Sequence, residues 1–124
     1  MMTMPITAVA SAYQGEIPAS VPAAAAAIRY RAMILVYVQL DVEQFTEYDA
    51  HYLPEAGVKI TRLSEPKNYR DAVPPTGKTV LCAELPCEVD DEVWRLDDAA
   101  LGRLVAADLQ TVGLPLARPP IAVF

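Results

Sequence analysis

Arg62 is the least expected residue of this chain. In the stretch VKITRLS, Val58, Ile60 and Arg62 fall on one face of any regular strand that contains all three, because strand side chains alternate. A guanidinium then closes an otherwise apolar row. A second stretch, Thr79 to Leu85, repeats the pattern: Val80, Cys82 and Glu84 share a face that ends in a carboxylate. Two chemistries suit Arg62. A guanidinium grips a carboxylate or phosphate through two parallel N–H donors, which would make it an anion clamp. It also forms a structural ion pair with Glu84 if the two strands are neighbours, since a buried charge needs such a partner. Both readings stand on the residues alone. Between the strands runs SEPKNYRDAVPPTGK, with three prolines, one glycine and five charged side chains. Loops beyond about 12–15 residues are uncommon and often functional. Asn68 lies in its middle, so the expected site is near Arg62 and Asn68.

Other motifs carry less. PPTGKT resembles a phosphate-binding P-loop only in part. That motif needs a glycine separated from GK[ST] by four residues and a helix after it; here the position is Ala72, and the apolar stretch TVLCAEL follows. No GxGxxG occurs, so these residues supply no dinucleotide fingerprint. Cys82 and Cys87 are five apart, point to opposite faces of an extended strand, and lack the CxxC or HxxxH companions of a zinc site. They read as small core residues. His51, the single histidine, reads as a partly exposed strand residue, and no Ser-His-Asp set can be assembled around it. Trp94 reads as a core anchor.

The elements that must position Arg62 follow from periodicity and punctuation. Met1 to Pro5 suits the tail of a strand, and Ile6 to Tyr13 a short helix. Ser20 precedes Val21-Pro22 and five alanines; serine is a good N-cap and alanine the best helix former, so a helix to about Arg29 is predicted. Ala32 to Leu40 is nearly continuous in apolar and β-branched residues, as in a central strand buried on both faces. Asp41 to Asp49 is loop. Ala50 to Leu53 and Val58 to Arg62 make a hairpin, with Pro54 and Gly57 in the turn. A helix from Asp98 to about Val112 has Asp97 as N-cap, a Leu96/Leu101 staple, Gly113 at C′ and Pro115 beyond. Ile121 to Phe124 begins another strand. The fold class expected is α+β: a mixed or mainly antiparallel sheet of about four to six strands, with helices packed on one face.

Composition bounds the rest. A chain of 124 residues suits one domain. Hydrophobic residues make up 53% and mean hydropathy is +0.21, rich for a soluble domain with net charge −6. That excess suggests an apolar face covered by another domain, or used in homo-oligomer formation. The acidic balance argues against nucleic acid. The longest apolar run, Ala32 to Val38, is too short for a bilayer span, which needs about 20 residues. With no basic signal-peptide region, the compartment expected is cytoplasmic.

One resemblance covers nearly the whole chain. TRLSEPKNY, then TVLCAELPC, DEVW and a helix ending in DLQTVGL are similar to the middle of flavin-dependent amine oxidase family proteins. The branch concerned is protoporphyrinogen-oxidase-like or UDP-galactopyranose-mutase-like. RYRAMILVYVQLD and TRLSEPKN are the most specific parts. The resemblance implies a substrate-binding domain of an FAD-dependent oxidoreductase, with the FAD-binding segments outside these residues and no FAD held by the chain alone. It also implies a small-molecule substrate. In the sugar-nucleotide branch, the tyrosine and arginine that face the substrate diphosphate correspond to Tyr52 and Arg62. Two other readings remain: a nucleotide-sugar mutase substrate domain, and a non-catalytic binding domain.

Overall fold

In a computed structural model, residues 3–70 and 76–124 are described. Ala72, the residue that separates PPTGKT from a P-loop, lies outside them. The chain divides into two compact units, Met1–Tyr30 and Arg31–Phe124.

The first unit is a pair of short helices. α1 spans Ile6–Ala12 and α2 spans Ser20–Ala27. Alanine propensity accounts for α2. Ser20 is its first helical residue rather than its N-cap; that position belongs to Ala19, and no side chain caps the helix. Neither helix has a buried residue. Thr7 Oγ1 and the Tyr30 hydroxyl lie 3.3 Å apart and tie α1 to the end of the unit. Thr3 to Pro5 form no strand.

The second unit is an α+β layer pair. Its strands are β1 (Ala32–Leu40), β2 (Ala50–Tyr52), β3 (Arg62–Ser64), β4 (Thr79–Cys87) and β5 (Ala122–Val123). They form one open sheet in the order β2-β3-β4-β1-β5, and every pairing is antiparallel. α3, Asp98–Thr111, packs on one face. The core alternates down the strands: Val36, Val38 and Leu40 from β1, Leu81, Ala83 and Leu85 from β4, and Leu63 from β3. Leu101, Val105 and Leu109 of α3 lie against them. The helix comes close because Gly102 has no side chain; a Cβ there would sit 2.7 Å from Val123 Cγ2.

α3 ends as its residues predict. The Asp97 carboxylate accepts from the Ala100 N–H at 2.7 Å. Gly113 has φ +79°, and the Gly113 and Leu114 N–H groups donate to Gln110 and Leu109 carbonyls, a Schellman closure.

Three further expectations are corrected. β1 is buried on one face only: Met33 and Leu35 are each 46% exposed, because among the described residues of this unit no layer covers that side. Trp94 is exposed, on a 3-10 turn at Glu92–Arg95, rather than anchoring the core. The hairpin's second strand starts at Arg62, not Val58. The chain before it is bent into the core, where Ile60 is wholly buried. Asp108 of α3 causes this: its Oδ2 accepts the Lys59 N–H at 2.7 Å and the Ile60 N–H at 3.0 Å. Those two donors are thereby taken from any strand ladder.

Candidate functional site

Because Val58 to Arg62 is not one regular strand, Arg62 and Ile60 do not share a face. Leu63 points to the core, so its neighbour Arg62 points to the opposite, open face. There it does not stand in bulk water. Register places Tyr52 opposite Arg62, Arg62 opposite Glu84, and Glu84 opposite Leu35, a row across four strands. Arg62 Nη1 donates to Glu84 Oε1 at 2.5 Å, and Nη2 donates to the Tyr69 hydroxyl at 2.8 Å. The Tyr52 ring lies over the guanidinium, 5.7 Å from its carbon to the ring centre. The ion pair with Glu84 is therefore present. The Arg62 and Glu84 side chains are 30% and 23% exposed, so the pair is partly desolvated. The Glu84 carboxylate raises the guanidinium above its ordinary value and keeps it charged. Arg62 Nε is buried and has no hydrogen-bond partner among the described residues.

A second row runs alongside: Ser64, Cys82 and Tyr37, ending in Phe124. Tyr37 and Phe124 stack with ring centres 5.9 Å apart. Burial pushes the Cys82 thiol up, which holds it neutral and makes it a poor nucleophile. The charge a Cys82 thiolate would carry raises the Tyr37 hydroxyl in turn. Cys87 lies on the core face, so the two cysteines are buried on opposite sides, as the spacing predicts. The open face thus combines one charged, hydrogen-bonded row with the exposed apolar side chains Met33, Leu35 and Phe124.

Tyr52 and Arg62 meet in this site. Asn68 does not join them. Its Nδ2 donates to the Thr46 and Tyr48 carbonyls at 2.8 and 3.0 Å, and its Oδ1 accepts from Gln44 Nε2 at 3.0 Å. The amide is used to hold the 41–49 loop, although Asn68 also lines a polar cavity of about 270 Å³ with Glu43 and Lys67. Its neighbour Tyr69, on the same 3-10 turn (Pro66–Tyr69), is the loop residue that reaches Arg62.

Two carboxylates that positional reading did not single out organise these loops. Glu65 is fully buried; it accepts from the Phe45 and Thr46 N–H groups at 3.0 and 2.8 Å and from Thr79 Oγ1 at 2.5 Å. Asp108 carried a visible signal. It lies at helical spacing from Leu101, Leu104 and Val105, so an acid sits on the apolar stripe of α3. His51 is half-buried, with Nε2 2.9 Å from Thr46 Oγ1 and its ring edge-on to Tyr48. A larger cavity, about 690 Å³, lies away from this face, between α3 and the 116–123 segment.

The described residues hold no group of three or more side chains suited to a metal ion, and no described helix is long and apolar enough to cross a membrane. FAD, the cofactor that the resemblance implies, makes a specific demand on a strand connection. Its pyrophosphate needs a glycine-rich turn leading from a strand into a helix N-terminus. Here β3 and β4 lead into 3-10 turns, and α3 opens on Asp97 and Asp98, carboxylates that repel phosphate. Among the described residues, no strand leads through a glycine-rich turn into a helix N-terminus, so these residues do not fit the phosphates of FAD. No protein-family model matches the chain, and no curated protein matches it.

Proposed function

We propose that the open sheet face is the substrate-facing wall of an FAD-dependent oxidoreductase of the amine oxidase kind, with the flavin held by protein outside these residues. The observation that carries this reading is the Tyr52–Arg62–Glu84 row, set on an apolar face that α3 leaves uncovered. The likeness of TRLSEPKNY and RYRAMILVYVQLD to that family supports it. In this reading Glu84 and Tyr69 orient the guanidinium, and Tyr52 offers a ring edge and face to a planar substrate. Leu35, Met33 and Phe124 supply apolar contact. Arg62 binds the polar end of a small molecule through the donors that Glu84 and Tyr69 leave open. These side chains bind and orient; none is assigned a proton-transfer step.

The test uses protein expressed from the complete gene. Bound flavin should be visible by absorbance and bleach anaerobically with an amine or a porphyrinogen. Arg62→Lys should raise the substrate KM while flavin content is unchanged, because an ammonium cannot copy the two-pronged contact. Protein without flavin, or a KM indifferent to both Arg62→Lys and Tyr52→Ala, would end this reading. A UDP-sugar that binds at Arg62 and is isomerised without net flavin reduction would identify a mutase instead.

A further inference from the structure

β4 runs past the start of β3. Arg62 opposite Glu84 is the first pair of their ladder, and β4 continues through Leu85 and Pro86 to Cys87. A regular strand before Arg62 would pair with that stretch. Instead Asp108 takes the Lys59 and Ile60 N–H groups and draws the segment toward the core. The bent segment and β4 together line a cleft of about 280 Å³. Val58, Leu85, Pro86 and Val93 give it apolar walls, and its charged lining is Arg31, Lys59 and Asp91. Lys59 is exposed and Asp91 half-buried. These two share the cleft, yet they do not pair with one another or, among the described residues, with any other opposite charge. Asp91 Oδ2 accepts the Glu88 N–H at 2.7 Å, which fixes the carboxylate and leaves Oδ1 open. Arg31 pairs with Glu88, Nε to Oε1 at 3.5 Å.

We propose that this cleft binds a free α-amino acid with an apolar side chain. The ligand's carboxylate meets the Lys59 ammonium and the Arg31 guanidinium, its ammonium meets Asp91 Oδ1, and its side chain lies against Val58, Leu85 and Val93. The argument is charge complementarity. An ammonium and a carboxylate that line one apolar cleft without meeting are both satisfied by a ligand that carries the two opposite charges. A simple carboxylic acid would leave Asp91 unmatched and repelled. An amine alone would be repelled by Lys59 and Arg31. The volume falls just below the range of about 300–1,000 Å³ typical of drug-sized sites, which suits a ligand as small as an amino acid. No residue of the Tyr52–Arg62–Glu84 row lines the cleft, so the proposal goes beyond the substrate reading and stands or falls separately from it.

Isothermal titration calorimetry of the whole chain with valine, leucine and phenylalanine tests it. At least one should bind saturably. Its amide and its N-acetyl derivative, each lacking one of the two charges, should bind about tenfold or more weakly. Lys59→Met should weaken the amino acid and leave its amide unchanged. Asp91→Asn, which keeps an oxygen for the Glu88 N–H, should weaken the amino acid and leave the N-acetyl derivative unchanged. Arg62→Lys should change none of these affinities. Failure of all three amino acids to bind, or a one-charge derivative that binds as tightly as its parent, would overturn the proposal. So would an affinity that both Lys59→Met and Asp91→Asn leave unmoved, or one that Arg62→Lys abolishes, since the ligand would then belong to the open face.

Discussion

The two faces of the sheet are made from alternate residues of the same strands, and they obey different rules. On the core face, Val36, Val38, Leu63, Leu81, Ala83 and Leu85 are wholly or almost wholly buried, and α3 closes over them. On the open face, Tyr52, Arg62, Glu84 and Leu35 stand in one row and keep substantial exposure. Each residue of the first set is fixed by shape against many neighbours. Each residue of the second is fixed by one or two directed contacts. Stability should therefore live on one face, and recognition can live on the other.

The strongest way to break this contrast is to truncate one leucine on each side. Leu81→Ala should cost about 2–5 kcal/mol, the lost transfer energy plus the cavity left behind. Leu35→Ala, measured in dilute solution, should cost no more than about 0.5 kcal/mol, as for ordinary surface changes. Urea melts of both variants decide it; equal losses would mean that the open face is covered.

Next in size is the carboxylate that bends the chain into the core. Asp108→Ala should cost about 2–3 kcal/mol, because the Lys59 and Ile60 N–H groups lose a charged acceptor in a buried setting. Chemical shifts of Lys59, Ile60 and Thr61 should move most, and a melt within about 0.5 kcal/mol of wild type would show that another group holds this turn.

A double-mutant cycle sharpens the reading of the open face. Arg62→Met alone should cost about 1–2 kcal/mol by leaving the Glu84 carboxylate without its partner. Adding Glu84→Leu should return stability to within about 1 kcal/mol of wild type, since an apolar pair of similar volume replaces a half-buried ion pair. A non-additive cycle with unchanged fold confines the pair's value to orientation. Additive losses would show that Arg62 and Glu84 act on separate parts of the structure.

The smallest effect is a dependence on pH. Glu43 accepts from Lys67, and its Oε2 also accepts from the Thr76 and Gly77 N–H groups at 2.9 and 2.6 Å. The Lys67 ammonium, followed by the Gly77 N–H, holds this carboxyl below its ordinary value. A folded value below the unfolded one gives a stabilising contribution that is complete above the ordinary carboxylate range. It is lost as pH falls through the depressed value. Thermal melts on an acid series should show that loss, with faster amide exchange at Gly77. Glu43→Gln should flatten this part of the curve; an unchanged acid limb would rule the contact out as a contributor.

How far the sequence could be read varies from element to element. The ends of α3 were legible in full, because Asp97, Gly113 and Leu114 act through bonds to residues three to five positions away. β1 was legible as a strand but not in its burial, since a continuous apolar run looks the same whether one face or both are covered. The Arg62–Glu84 pair was legible as a possibility conditional on β3 and β4 being neighbours, and the register supplies that condition. Tyr69 as a contact of Arg62 was not legible, because a 3-10 turn at Pro66–Tyr69 directs it.

By itself, then, the sequence determined the α+β class, the strand-rich core and the closure of α3, all of which rest on local propensity and on periods of two and 3.6 residues. Only the tertiary structure decided which way Arg62 points. The period of two applies as long as the strand is unbroken. A carboxylate 46 residues along the chain from Arg62 breaks it, because Asp108 takes two N–H groups that a regular strand would have left for its neighbours. That exchange sends Ile60 into the core and leaves Arg62 on the open face beside Tyr52 and Glu84.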